Sequence, residues 1–337
     1  MTTASTHAPD RRRATSLQLS IVVPCHNEAD NLDNLHARCS AAAASAVGDS
    51  YELVLVDDGS RDPTWQMLRG LAGRDPRVVA LRLSRNFGHQ LALSAGLAAA
   101  RGARILIIDA DLQDPPELLP RMMEAADQGA DVVYGQRATR AGETWFKRAT
   151  ASIFYRILRR LTDVDIPADS GDFRLITRRV ADLLAEMPEQ HRFLRGMVSW
   201  IGMRQVAIAY DRDERRAGRT NYPLRRMLRL AVDAVTSFSI RPLRIASLIG
   251  LGFGALGLAG VAYVITGWAA GATVPGWTSV MVVVLVLGGM QLAVIGILGE
   301  YLGRLYLETK RRPLYIVQEV LRAAPDDAPG PSPNDRA

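Results

Sequence analysis

The chain is expected to be an α/β protein, a mostly parallel sheet covered by helices, followed by two membrane-spanning helices. Between residues 17 and about 135 short apolar runs alternate with amphipathic stretches. That strand–helix–strand rhythm builds a parallel sheet with helices on both faces. From Ile245 to Gly299 there is no Asp, Glu, Lys or Arg, a run that no soluble domain needs and that a bilayer does. Acidic residues stand directly after several expected strands, where ligands of such sheets bind. The mean hydropathy of +0.02 averages these two unlike parts. With 337 residues, 48% of them hydrophobic, the chain suffices for one large domain or two modest ones and is not disordered throughout.

The elements follow in order. Residues 1–16 are a polar, basic tail with Arg11, Arg12 and Arg13 and no apolar stretch behind them, so no signal peptide is expected. Strands are expected at Leu19–Pro24, Tyr51–Val56, Val78–Leu83, Arg104–Ile108 and Asp131–Tyr134. Helices are expected at Asn31–Ala46, Pro63–Ala72, His89–Arg101 and Pro116–Gln128, with Pro63 suited to a first turn. From Glu143 to Ile201 the pattern reads as mostly helical, and Met203–Tyr210 as a last strand. Residues 17–222 would form the catalytic domain. Residues 223–244 contain a basic amphipathic helix, with Leu224, Met227 and Leu228 opposed to Arg225, Arg226 and Arg229, as in a helix lying at a membrane interface.

The spans are placed at about 245–268 and 277–299, each near the ~20 residues a crossing needs. Arg241 and Arg244 precede the first, and Arg304, Lys310, Arg311 and Arg312 follow the second. The positive-inside rule then puts the large domain and both termini in the cytoplasm, with a cytoplasmic segment at 300–322 and a disordered tail at 323–337. Gly250, Gly254 and Gly257 have the spacing of a close helix contact, or simply tolerate lipid. Glu300 is expected to snorkel or to pair with Arg304.

Charge and cysteine content narrow the chemistry. The net charge of +6 is modest and clustered, which fits an anionic membrane surface or a phosphate-bearing substrate better than nucleic acid. The two cysteines, Cys25 and Cys39, form no CxxC pair, and five histidines make no zinc pattern. There is no GxGxxG after the first strand and no phosphate-binding GxxxxGK[ST], which argues against a nicotinamide dehydrogenase and a P-loop NTPase. Instead Glu28 follows the first strand, Asp57 and Asp58 the second, and Asp109, Asp111 and Asp114 the fourth. Any one could be a helix cap; three clusters at one sheet edge point to a site. Asp109 and Asp111, one residue apart on chain leaving a strand, can face one Mg²⁺ or Mn²⁺, with the Gln113 carbonyl as a third ligand. Such an ion would bridge a diphosphate and stabilise it as a leaving group.

The segments Ile21-Val-Val-Pro-Cys-His-Asn-Glu28, Val56-Asp-Asp-Gly-Ser60, Asp109-Ala-Asp-Leu-Gln-Asp-Pro-Pro-Glu117 and Ser170-Gly-Asp-Phe-Arg-Leu175 resemble family 2 glycosyltransferases. More narrowly, with Arg85-Asn-Phe-Gly-His-Gln90, they resemble the polyprenyl-phosphate branch, which includes dolichol-phosphate mannose synthases and bacterial undecaprenyl-phosphate glucosyltransferases. The resemblance covers roughly residues 18–310. It implies a GT-A fold at a bacterial inner membrane and an inverting, metal-dependent transfer of one hexose from a UDP- or GDP-sugar to a polyprenyl phosphate. Carried over by position, Pro24, Asn27 and Glu28 would line the nucleotide pocket, Asp58 would hold the base, and Asp57 would lie beside it. Asp109, Asp111 and Gln113 would bind metal and diphosphate. Asp172 would face the sugar and the attacking group, with pairing to Arg174 as its plainer reading. Arg137 and Arg148 would meet the acceptor phosphate. At Gly218-Arg-Thr-Asn-Tyr222 the chain departs from a Gly-Glu-Ser-Lys-Tyr-like segment, and Arg219 would stand in for the lysine.

The acceptor chemistry stands on its own as well. A phosphate monoester is mostly ionised near neutral pH, so its oxygen needs positioning by arginine forks more than it needs a strong base. His89, at a helix start, reads as structural or as a phosphate contact. Arg192 and Arg195 are candidates for lipid headgroups. A processive polysaccharide synthase would require more spans and a QxxRW-type segment, and Gln190-His-Arg-Phe-Leu194 lacks the tryptophan. A non-catalytic nucleotide-sugar binder would be expected to have an eroded DxD. Small residues in the spans leave self-association open.

Overall fold

The computed structural model of the protein describes residues 17–137, 170–210, 239–271 and 276–322. Eight strands form one sheet: β1 (Leu19–Cys25), β2 (Tyr51–Asp57), β3 (Val78–Leu83), β4 (Arg104–Ile107), β5 (Val132–Arg137), β6 (Ser170–Thr177), β7 (Gln205–Tyr210) and β8 (Val317–Leu321). Their spatial order is β7-β5-β6-β4-β1-β2-β3-β8. The run β3-β2-β1-β4 is parallel throughout, and β5 and β7 also pair in parallel. The antiparallel pairs are β4 with β6, β5 with β6, and β3 with β8. The sheet is therefore mostly parallel, as expected, and its order reverses between β1 and β4, the place where open α/β sheets bind ligands.

β1 and β2 are buried along their whole length, which explains why they read as unbroken apolar runs rather than as alternating ones. Alternation survives in the packing. Ile21, Val23, Leu53 and Leu55 face one core layer, which contains side chains of α1 (Leu32–Val47), α2 (Thr64–Arg74) and α4 (Leu119–Asp127). Val22, Val54, Val56 and Ile107 face the other, with α3 (His89–Ala99), α5 (Arg178–Glu186) and α6 (Leu194–Ile201). In α1 the buried set Leu32, Leu35, Cys39, Ala42 and Ala43 keeps helical spacing. Each fully buried Leu or Val adds roughly 1.5–3 kcal/mol over leaving it exposed. Both cysteines are free and buried. Burial pushes the Cys39 thiol up to about 12 and raises that of Cys25 as well, so neither is a reactive thiolate.

Two strands correct the sequence expectation. Residues 170–177 fall in the stretch read as mostly helical, yet β6 inserts between β4 and β5. Its Phe173 and Leu175 enter one core layer, while Asp172 and Arg174 are buried on the opposite face, so a charged pair hides the two-residue period. The segment 300–322, expected to be a plain cytoplasmic extension, also has structure. β8 extends the sheet beside β3, and Arg322 reaches back to donate to the Ala99 carbonyl at 2.8 Å. Its guanidinium lies 3.6 Å from the buried carboxylate of Glu52.

Between β7 and β8 stand two long helices, α7 (Arg241–Ala269) and α8 (Trp277–Thr309), both long and apolar enough to cross a membrane. Their large apolar side chains are exposed, for example Leu251 at 72% and Leu292 at 71%, as lipid-facing surfaces are. α8 outruns its charge-free stretch, and its last turns include Glu300, whose Oε1 accepts from Arg304 Nη2 at 3.0 Å. A Cβ added at Gly250, Gly254 or Gly257 meets nothing within 4 Å, so among the described residues no helix packs on that face. The amphipathic helix expected over 223–240 lies outside the described residues, except for its last two positions.

Candidate active site

The loops leaving β1, β2, β3 and β4 meet at one end of the sheet. They enclose an open cavity of about 270 Å³ lined by Pro24, Cys25, His26, Glu28, Asp58, Asn86, Gly88, His89, Asp109, Ala110 and Asp111. The cavity lies over the point where the strand order reverses, the usual place for a ligand on such a sheet.

The β2 end is held by its own acids. Asp58 is buried; its Oδ1 accepts the Phe87 N–H at 2.7 Å and its Oδ2 the Gly88 N–H at 2.9 Å. Its carboxylate, expected at a base, thus fixes the loop that forms one wall. Asp57 is fully buried, accepts the Ser60 N–H at 2.9 Å on Oδ1, and lies 3.6 Å from Arg82 Nε through Oδ2. It shapes the turn beneath the cavity. After β1, Glu28 accepts from Asn31 Nδ2 at 2.7 Å and keeps its place in the lining. Asn27, expected in the pocket, instead builds the loop. Its φ is +57°, its Oδ1 accepts the Arg61 N–H at 2.9 Å, and its own N–H donates to Ser60 Oγ at 3.0 Å.

The β4 end carries the paired carboxylates. Both Asp109 and Asp111 line the cavity. Leu112 adopts a φ of +58°, which turns the chain so that the Gln113 N–H donates to Asp111 Oδ1 at 3.2 Å. Asp114 is buried and accepts the Tyr210 hydroxyl, tying this loop to β7. Asp109 Oδ1 is buried and accepts no hydrogen bond; His89 Nε2 is 3.4 Å away. Burial pushes the Asp109 carboxyl up to about 6, with His89 pulling the other way and Asp172, Asp114 and Asp111 adding to the rise.

Asp172 sits beside this pair on β6, 4% exposed. Arg195 of α6 clamps it, Nε to Oδ1 at 2.8 Å and Nη2 to Oδ2 at 3.3 Å. His89 Nε2 and Gln90 Nε2 approach Oδ2 at 3.1 and 3.2 Å. Arg174, the partner expected from sequence, is farther at 3.9 Å and donates to the Gly171 carbonyl at 2.9 Å. Burial opposes the Asp172 charge, but the Arg195 cation and the bonds from His89 and Arg195 hold its carboxyl well below the usual range. Burial lowers His89, but the bond to Asp172 and the charges of Asp109 and Asp172 raise it overall, with Arg195 opposing.

The donor set fits a divalent cation. Carboxylate oxygens are the ligands that Mg²⁺ and Mn²⁺ prefer, and one of them, Asp109 Oδ1, is orphaned. Donor atoms of His89, Asp109 and Asp172 lie within 4.8 Å of one another. Of the expected ligands, Asp109 and Asp111 meet at the cavity, while Gln113 touches Asp111 through its backbone. Arg137 ends β5, but its side chain, like all of Arg148 and Arg219, is outside the described residues. Arg192 and Arg195, read as headgroup ligands, both turn inward, Arg192 donating to the Leu184 and Met187 carbonyls at 2.9 and 2.6 Å. The roles of Arg195 and Gln90 at Asp172 escaped the sequence reading. The available signal was an arginine set among Leu194, Met197 and Val198, the buried residues of α6.

The likeness to known proteins agrees with this arrangement. The family model described as glycosyl transferase family 2 matches residues 20–184, and that described as the GtrB C-terminal hairpin matches residues 241–305. An uncharacterized glycosyltransferase of Bacillus subtilis (strain 168), YkcC, is 46% identical over 306 residues, covering 90% of this chain and 94% of its own. A prophage bactoprenol glucosyl transferase homolog of Escherichia coli (strain K12) is 39% identical, covering 90% of this chain and 99% of its own. The bactoprenol glucosyl transferase of Shigella phage SfX is 38% identical, with 90% and 99% covered. A GT-A sheet with its acidic cavity at the β1/β4 switch, joined to a matching apolar hairpin, makes this chain a glycosyltransferase of family 2.

Proposed function

We propose that this protein transfers a single hexose, glucose from UDP-glucose, to the phosphate of a polyprenyl lipid of the undecaprenyl type at the cytoplasmic face of the bacterial inner membrane, with inversion at the anomeric carbon. One juxtaposition carries the reading. A diphosphate-sized acidic cavity adjoins the clamped Asp172–Arg195 pair in a chain that also has two apolar helices. The names of the relatives from Escherichia coli and the Shigella phage support the lipid acceptor and the glucosyl group.

The donor's diphosphate lies along the cavity between the β1 and β4 ends, with the Asp58-fixed loop as its wall. Asp109 and Asp111, with Gln113 beside them, would hold a Mg²⁺ or Mn²⁺ ion, which when bound would supply charge stabilisation to the departing diphosphate. An oxygen of the acceptor phosphate attacks the anomeric carbon, and the bond from that carbon to the diphosphate breaks. Asp172 does not take a proton here. A carboxyl held well below its usual range is a poor base near neutral pH, and the phosphate already bears the charge it needs. Asp172 instead holds the Arg195 fork in place, and Arg195 with Arg137, Arg148 and Arg219 meets the acceptor phosphate. The hairpin keeps this end of the sheet at headgroup depth.

The test is transfer of label. The full chain in detergent is given radiolabelled UDP-glucose, UDP-galactose, UDP-N-acetylglucosamine or GDP-mannose, each with undecaprenyl phosphate and Mn²⁺ or Mg²⁺. Organic-extractable label from UDP-glucose is expected, falling at least ~10²-fold in Asp111→Ala with the loss of charge stabilisation. Label from GDP-mannose or another UDP-sugar alone would change the donor. Label only in a long water-soluble polymer, or nucleotide binding without turnover, would overturn the reading.

A further inference from the structure

The membrane hairpin touches the catalytic machinery at one place that anchoring alone does not require. Glu308, in the last turn of α8, accepts the backbone N–H of Gln190 on its Oε1 at 2.8 Å. The Gln190 side-chain amide donates in turn to the Arg312 carbonyl at 2.9 Å. Gln190 lies midway along the connection, residues 187–193, that leads from α5 into α6. Arg192 staples this connection to the end of α5 through the Leu184 and Met187 carbonyls. Tyr315, just beyond α8, packs on the core layer that holds Leu194 and Met197.

From there the chain of bonds reaches the site. The Leu194 N–H, at the start of α6, donates to Gln90 Oε1 at 2.9 Å, and the other end of the same amide donates to Asp172 Oδ2 at 3.2 Å. The next residue, Arg195, clamps Asp172. Asp172 is thus held through α6, and α6 is held through Gln190 by the end of the second apolar helix. Glu308 lies about 13.5 Å along the helix beyond the charge-free stretch that ends at Gly299, at about 1.5 Å per residue. It is therefore placed beyond the apolar stretch, where its carboxylate makes a charge-assisted hydrogen bond to a backbone N–H.

We infer that Glu308 and Gln190 are positioning residues. Through them the cytoplasmic end of the second apolar helix sets the Asp172–Arg195 pair at the place where a lipid-borne phosphate arrives. This rests on the acceptor reading proposed above. In this design the hairpin delivers the acceptor and fixes the group that receives it in one rigid step, leaving donor binding at the β1/β4 ends untouched.

The experiment uses the full chain in vesicles containing undecaprenyl phosphate, comparing wild type with Glu308→Ala, Glu308→Gln and Gln190→Ala. Glu308→Ala is expected to lower kcat for lipid transfer about tenfold, the weight of one charged hydrogen bond, with the KM for the nucleotide sugar unchanged. Glu308→Gln keeps an accepting oxygen and should recover most of the rate. A Glu308→Ala variant with wild-type kcat, or one in which donor KM and melting temperature change along with kcat, would overturn the inference. Amide hydrogen exchange over residues 187–201 reads the same link without the reaction. It should quicken about tenfold in Glu308→Ala while β1 and β2 stay protected. Unchanged exchange would overturn the link. Quickened exchange in Glu308→Ala, together with a wild type that transfers nothing to the lipid, would uphold the link and remove only the acceptor reading.

Discussion

Asp109 is the residue whose environment says most about its use. Ionising it inside the fold is unfavourable, because burial and three nearby carboxylates raise its carboxyl to about 6 while His89 only partly offsets them. In the unfolded chain the same group ionises in the ordinary carboxylate range. Between those two values the folded state holds the extra proton, so metal-free stability falls as pH rises through about 6. The same deprotonation frees both oxygens for a cation. Melting-temperature gain on adding Mn²⁺ should therefore be small near about pH 5, grow toward about pH 7.5, and vanish in Asp109→Asn. A gain that is flat across that range would remove Asp109 from the metal site. That Asp109 and Asp111 both line the cavity was legible in the sequence, because both stand just after a strand at the edge where such sheets bind ligands. The raised pKa was not, since it comes first from burial and then from carboxylates that include Asp172, brought over by β6. Asp58 shows the reverse: its motif is plain, but its bonds to Phe87 and Gly88 depend on where the β3 loop ends.

At the scale of elements, the site is set by how closely α3 lies on the sheet, since α3 begins with His89 and Gln90. Gly96 allows that approach. A Cβ there would stand 2.3 Å from Val22 Cγ1 and 3.2 Å from Val56 Cγ2. Gly96→Ala should cost about 1–3 kcal/mol by overpacking, even though alanine favours helix. Adding Val22→Ala should return part of that loss, so the double variant is more stable than the two single losses would predict; thermal denaturation of the four proteins gives the cycle. Simple additivity would mean that α3 shifts freely. The strands β1 to β4 and helices α1 to α4 could be read from sequence because each is local and continuously apolar or regularly amphipathic. β6 could not, because Asp172 and Arg174 are charged residues on a buried face, Asp172 met by Arg195, His89 and Gln90 from other elements and Arg174 donating to the Gly171 carbonyl. β8 is short, at the sheet edge and partly exposed, with Val320 at 53%. Its Val-Gln-Glu-Val-Leu run gains strand character only by pairing with β3.

For the whole molecule, the decisive fact is that the sheet takes strands from both sides of the hairpin. β7 precedes α7, β8 follows α8, and both belong to one sheet. One body cannot lie on two faces of a membrane, so if α7 and α8 cross one they enter and leave on the same side, with the turn near Ala270 expected on the other. The β-pairing and the Arg322–Glu52 contact tie the chain after the hairpin to the same sheet as the chain before it, and the positive-inside expectation would put that sheet in the cytoplasm. The two native cysteines are each 1% exposed, so introduced cysteines can be probed against a quiet background. Ala270→Cys should react with a membrane-impermeant maleimide in intact cells. Gln318→Cys, exposed on β8, should react only after the membrane is opened. If Gln318→Cys labels in intact cells and Ala270→Cys does not, the catalytic sheet faces outward, away from cytoplasmic nucleotide sugars, and the proposed reaction fails with it. Labelling of neither site until lysis would mean that the hairpin lies on the membrane rather than across it. The acceptor would then reach the Asp172–Arg195 pair from the side, without a transmembrane anchor to set its depth.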